Sequence, residues 1–155
     1  MFFPYGLNFY VLMGRAREYF IPSKRRGGGK KPVTIQLPIY NERYVVERLV
    51  KACTEMADEY GRRLVQILIL DDSTDETTEI AEEVASRYRG MGYDIEMIHR
   101  DDRVGFKAGA LQNAMEKTKY DFIAIFDADF VPPRDFLNRV MPYFDDPKLA
   151  IAQCR

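Results

Sequence analysis

"LVQILILDDSTDETTEIAEEVASRYRGMG" (residues 64–92) passes from an apolar run to a charged one within a single stretch. Residues 64–70 are apolar except for Gln66, as in a strand covered on both faces. Two aspartates end that run, and a polar turn follows. Residues 74–92 then read as a helix, with acids in the first turn and Arg87, Arg89 and glycine at the end. That polarity suits the helix dipole. The unit is therefore strand, acidic turn, helix.

The same unit recurs on both sides. "VTIQLPIY" (33–40) reads as a strand, and residues 42–61 as a helix that buries Val45, Leu49, Ala52, Cys53 and Met56 and stops at Gly61. Strands are expected at 94–99, 121–129 and 149–155, and helices at 105–118 and 134–144. Strand alternating with helix predicts an α/β fold, a Rossmann-like, mostly parallel sheet with helices on both faces. Such sheets bind ligands beyond the carboxyl ends of their strands.

Composition is compatible with that body. The chain has 155 residues, 46% of them hydrophobic, and a net charge of −1. It is long enough for one domain with a core, and the charge argues against nucleic-acid binding. Cys53 and Cys154 form neither a CxxC nor a metal spacing, and cytosolic residence is the simpler reading. Residues 1–31 stand apart: an aromatic, apolar opening precedes a basic, glycine-rich linker. No signal peptide is evident, and no run reaches the ~18–20 apolar residues that span a bilayer. Two readings stay open, a membrane-adjacent segment with its positive flank on the cytoplasmic side and an arm packed on the domain. The domain itself is expected over 32–155.

The strand ends carry the chemistry. The first, "PIYNE", offers Tyr40, Asn41 and Glu42. The second carries Asp71 and Asp72. Ser73, Thr74 or Asp75 can cap the next helix, with Ser73 to Glu76 at capping-box spacing, but a cap does not explain the paired aspartates before it. The third, "HRDDRVGFKAGAL" (99–111), brings Arg103 and Lys107 to an otherwise acidic crevice. A lysine in the first helical turn opposes the dipole, which favours a functional role such as contacting a diphosphate. His99, the only histidine, reads as structural.

The fourth end is "FDADF" (126–130). In an extended chain residues i and i+2 share a side, so Asp127 and Asp129 face one space. About 6 Å apart, they would repel by roughly 2–3 kcal/mol at an effective dielectric of about 20. A divalent cation, Mg2+ or Mn2+, would reverse the sign, with ligand phosphates completing its shell. The alternative is a solvated strand end whose acids cap the next turn.

In order and spacing, "VTIQLPIYNE", "ILDDSTDET", "HRDDRVGFKAGALQNAM" and "FDADFVPP" resemble the motifs of family 2 glycosyltransferases, closest to the cellulose-synthase-like, membrane-bound branch that makes β-linked polysaccharides. The likeness covers about residues 32–155. It implies the first half of a glycosyltransferase A-type fold. It places Pro38 and Tyr40 at the nucleobase pocket, Asp72, together with Asp71, accepting hydrogen bonds from the base, and Lys107 on the diphosphate. Glu42 and Arg103 join the donor-binding set. Asp129 would sit mainly on the metal, and Asp127 would be shared between metal and nucleotide. The donor would be a UDP- or GDP-linked sugar, the acceptor a glycan, and the transfer direct and inverting.

The family continues past such a strand with a tryptophan, a TED-type base and a QxxRW motif. This implies a piece whose catalytic base lies beyond Arg155, so that the isolated chain would bind a donor without transferring it. The full-length protein would then work at the cytoplasmic face of a membrane, and this piece, if soluble, in the cytoplasm.

Three rivals differ in placement. A nucleotidyltransferase carries a glycine-rich basic loop after its first strand, where this chain has "PIYNERY". An aspartyl phosphohydrolase puts its DxD at the first strand rather than the fourth. A truncated, non-catalytic module is the third, since an apolar edge near Leu149–Ala152 invites association.

Overall fold

The computed structural model describes residues 29–154. The aromatic opening and most of the basic linker lie outside the described residues. Strands β1 (Val33–Ile39), β2 (Val65–Asp71), β3 (Asp94–His99) and β4 (Phe122–Ile125) alternate with helices α1 (Val46–Tyr60), α2 (Thr77–Gly90), α3 (Phe106–Ala114) and α4 (Phe136–Val140). All strand pairs are parallel, in the order β3-β2-β1-β4. The expected α/β class and parallel sheet are what the molecule has.

The order has one consequence for the site. The chain runs outward from β1 to β3, then returns to place β4 on the other side of β1. Crossovers keep one hand, so a reversal of direction sends the crossover helix to the opposite face. Packing agrees. Helices α1, α2 and α4 share one large core with Ile35, Leu37, Ile67 and Ile69, whereas α3 packs Ala110 and Ala114 on Leu68 and Leu70 across the sheet. Each large apolar side chain fully buried here stabilises the fold by about 1.5–3 kcal/mol. The reversal leaves a crevice between the carboxyl ends of β1 and β4, the point where such sheets take ligands.

Buried polar side chains fix the connection into β4. Thr34 donates to Gln66 Oε1 at 2.8 Å, and the Lys119 amide donates to the same atom at 2.9 Å. Gln66 Nε2 donates to the Lys117 carbonyl at 2.9 Å, and Gln36 Nε2 to Thr118 at 3.0 Å. These glutamines interrupt apolar strands because they satisfy the turn that follows α3.

Several boundaries differ from the sequence reading. Helix α1 starts at Val46 because Asn41 adopts a left-handed φ of 53° and a turn joins Val45 N–H to the Glu42 carbonyl. Helix α2 starts at Thr77, where Asp75 Oδ1 accepts the Thr77 N–H. Ser73 is not a cap, because its hydroxyl accepts the Asn41 N–H at 2.8 Å. Helix α3 ends at Ala114, earlier than 118, as Lys117 and Thr118 fold back onto the Ala114 carbonyl. Strand β4 ends at Ile125 rather than 129. Phe126 N–H makes a last bond to Gln36, and Phe130 N–H then closes a turn on the Asp127 carbonyl. The last expected helix is short and gives way to a 3-10 turn containing Pro142.

No fifth strand forms over 149–154. A strand needs a ladder partner, and a groove of about 800 Å³ separates these residues from β4. Ile123 and Ile125 on that side of the sheet are exposed. Among the described residues, no helix is long and apolar enough to cross a membrane.

Candidate functional site: the crevice at the switch point

A crevice of about 350 Å³ opens at the switch point. The end of β1 gives it Pro38, Tyr40 and Glu42, and the end of β2 gives it Asp72. The loop after β3 and the first turn of α3 contribute Arg103 and Lys107, and the turn after β4 contributes Asp127 and Asp129. Eight of the nine residues singled out in the sequence thus line one cavity, although they come from four separate strand ends.

Asp71 is the exception. Adjacent residues of a strand point to opposite faces, and Asp71 points away from the crevice with no exposed surface. Its Oδ1 accepts the Ser73 N–H at 3.0 Å, and Oδ2 accepts the Thr78 hydroxyl at 2.7 Å and lies 2.8 Å from His99 Nδ1. It ties β2, α2 and β3 together, and His99 belongs to the same knot. Asp71 is therefore a corrected expectation: its oxygens are committed to the protein.

Asp72 faces the crevice but is not alone there. Arg100 grips it twice, Nε to Oδ1 at 2.8 Å and Nη2 to Oδ2 at 2.6 Å. Both side chains are nearly buried. Nη1 donates to the Val104 carbonyl and Nη2 also to that of Phe106, each at 3.2 Å. Arg100 therefore fixes both the aspartate and the loop that carries Arg103. The sequence reading passed over it. Its signal was the parallel register, since Asp71 pairs with His99 and the next residues of each strand must meet.

Gly105 and Gly109 let that loop close. Gly105 has φ 75°. A side chain at 109 would collide with the Val104 carbonyl oxygen and lie 2.9 Å from Arg100 Nη1.

The opposite wall is acidic. Asp127 and Asp129 are exposed and Ala128 is buried, so both carboxylates turn outward at the crevice. Lys107 Nζ contacts Asp127 across the opening. Glu42 feels both aspartates: burial first, then the charges of Asp129 and Asp127, push its carboxyl above the ordinary 4.5. Among the described residues, no group of three or more histidine, cysteine or acidic side chains is set to hold a metal alone. The donor set fits a hard cation that takes two carboxylates and completes its shell with ligand oxygens.

A four-stranded parallel sheet that reverses at a switch point is the sheet of a glycosyltransferase A-type fold. The comparisons agree. The family model for Glycosyl transferase family 2 matches residues 34–155, and the chain belongs to that family. It is 43% identical over 128 residues to glucomannan 4-beta-mannosyltransferase 9 of Arabidopsis thaliana, covering 79% of this chain and 24% of that protein. It is 41% identical over 128 residues to a probable glucomannan 4-beta-mannosyltransferase 9 of Oryza sativa subsp. japonica, with the same coverage. The chain thus spans about a quarter of these relatives. Among solved structures it is similar to a mannosyltransferase from Pyrobaculum calidifontis in complex with GDP-Man and Mn2+, with a TM-score of 0.79 and 25% identity. That likeness covers 95% of this chain and 42% of the other.

Proposed function

We propose that this chain forms the donor-binding half of a glycosyltransferase that takes a nucleotide-activated mannose, GDP-linked, and serves synthesis of a β-linked polysaccharide. The carrying observation is the crevice itself, which gathers a metal-compatible carboxylate pair, a lysine, Tyr40 and Asp72 in one cavity. A nucleoside diphosphate carries the groups such a lining can take, phosphates for the cation and lysine and a flat base for the tyrosine and aspartate. The names of the relatives and the GDP-Man and Mn2+ in the Pyrobaculum structure support mannose, guanosine and a divalent ion.

In this reading Tyr40 and Pro38 flank the nucleobase, and Asp72, held in place by Arg100, accepts a hydrogen bond from it. Lys107 leaves Asp127 for the diphosphate, neutralising charge there. Asp129 and Asp127 hold Mn2+ or Mg2+, which when bound draws charge off the departing diphosphate. No residue of the crevice is assigned to deprotonate the acceptor hydroxyl, and the matched stretch is 24% of the Arabidopsis relative. Residues 1–31 are proposed to adjoin a membrane on its cytoplasmic side, on the strength of an aromatic run followed by a basic one.

Isothermal titration of the chain with GDP and with UDP, each with Mn2+, tests the reading. Saturable binding of a nucleotide, without mannose transfer from GDP-mannose, is expected. No heat with either nucleotide on folded protein, or transfer by the chain alone, overturns it.

A further inference from the structure

We infer that Asn41 is a positioning residue that holds Tyr40 in the crevice, an inference that rests on the donor-binding reading above. Tyr40 lines the crevice and Asn41 does not. The ladder between β1 and β2 ends at the pair Ile39 and Asp71. Tyr40 is the first residue past that pair, where the strand partner no longer holds the backbone. A side chain that meets a ligand in a set place needs its backbone fixed by other bonds.

Two hydrogen bonds bracket Tyr40. On one side the Ile39 carbonyl accepts the Asp72 N–H at 3.2 Å. On the other the Asn41 N–H donates to Ser73 Oγ at 2.8 Å. The Asn41 side chain closes the clamp. Its Oδ1 accepts the Thr74 N–H at 2.9 Å, and its Nδ2 lies 3.5 Å from the Thr74 hydroxyl. A backbone N–H only donates, so the amide oxygen is the atom that faces it. Ser73 and Thr74 follow Asp72, which lines the same crevice. The clamp therefore ties the backbone that carries Tyr40 to the backbone that carries Asp72.

The backbone shows why asparagine stands there. Asn41 has φ 53°, and among the described residues Phe106 is the one other non-glycine residue with positive φ. Asparagine visits the left-handed region because its short polar side chain hydrogen-bonds locally. Glycine adopts such a φ as readily but offers no acceptor to Thr74. Asn41 supplies both the bend and the bond.

The test titrates GDP and UDP, each with Mn2+, into the chain, into Asn41→Gly, Ser73→Ala and Tyr40→Ala, and into each clamp variant combined with Tyr40→Ala. Affinities are compared for the nucleotide that the unaltered chain binds more tightly, with urea unfolding as the control for folding. Glycine keeps the bend and removes the amide, and Ser73→Ala removes the hydroxyl that accepts the Asn41 N–H. Each clamp variant alone is expected to lose about tenfold in affinity. Combined with Tyr40→Ala, each is expected to cost less than about twofold, because the residue it positions is gone. A merely structural role gives the same loss in both backgrounds. Full loss on top of Tyr40→Ala, or no loss in the single variants, overturns the assignment while leaving the donor site intact. If the unaltered chain binds neither nucleotide, the donor-binding reading fails and takes this one with it.

Discussion

Arg100 and Asp72, which lines the crevice, form a two-point ion pair with nitrogen to oxygen distances of 2.8 and 2.6 Å and little solvent on either side chain. The pair joins the end of β2 to the loop after β3, so its loss reaches two walls at once. Removing one member of a nearly buried pair strands the other charge and costs about 3–5 kcal/mol. Arg100→Ala should lower unfolding free energy in urea by about that amount. The double variant Arg100→Met with Asp72→Leu should recover much of the stability. An Arg100→Ala chain as stable as the parent would show that the pair carries little.

Gly109 is expected to be intolerant for steric reasons. A methyl group there meets the Val104 carbonyl and Arg100 Nη1, so Gly109→Ala must push the loop out of place. A loss of about 1–3 kcal/mol is expected, together with weakened nucleotide binding. Gly90→Ala is the control, since nothing lies within 4 Å of its added carbon, and it should leave the thermal midpoint unchanged or slightly raised.

Lys107 should separate binding from stability. Its pair with Asp127 is exposed on both sides, and such pairs contribute about 0–1 kcal/mol. Lys107→Met should therefore unfold at nearly the parent temperature. Its affinity for GDP should fall about tenfold, while guanosine, which has no phosphate, should bind the variant and the parent alike. A comparable loss for guanosine would place Lys107 elsewhere than on the diphosphate.

Glu42 gives a pH signature. Its carboxyl is raised above the ordinary 4.5 by burial and by Asp129 and Asp127, so the folded state binds this proton more tightly than the unfolded state. The folded protein is favoured by this group below about 4.5 and loses that advantage as pH rises through the raised value. Glu42→Gln should thus be more stable than the parent at pH 7, with the gap closing near pH 4. Urea midpoints at the two pH values measure it, and a gap that widens on acidification would contradict the sign.

The sheet was legible in the sequence because its signals are local. Residues 65–70 are apolar but for Gln66 and buried on both faces, and α1 buries Leu49, Cys53 and Met56 at helical spacing. The strand-end rule then gathered residues separated by up to 91 positions, from Pro38 to Asp129, into one cavity. Asp71 and Arg100 were not read correctly from the sequence, for different reasons. Asp71 looked like a second ligand acceptor, whereas strand alternation turns it inward, and Arg100 drew no notice because its partner lies on another strand. The lost fifth strand has a different cause. Residues 149–154 carry the composition of a strand, but pairing is decided by a partner, and β4 stands across an apolar groove from them.

In the proposed donor site Asp127 and Asp129 hold a divalent ion together with a nucleoside diphosphate. Electron paramagnetic resonance of free aqueous Mn2+ measures it directly. With the chain and GDP both present, the free-ion signal should fall to an extent that neither produces alone. The Asp127→Asn, Asp129→Asn chain should leave it at the level seen with GDP alone. An equal fall with the substituted chain would contradict the assignment, as would no fall beyond that of GDP when the unaltered chain is added.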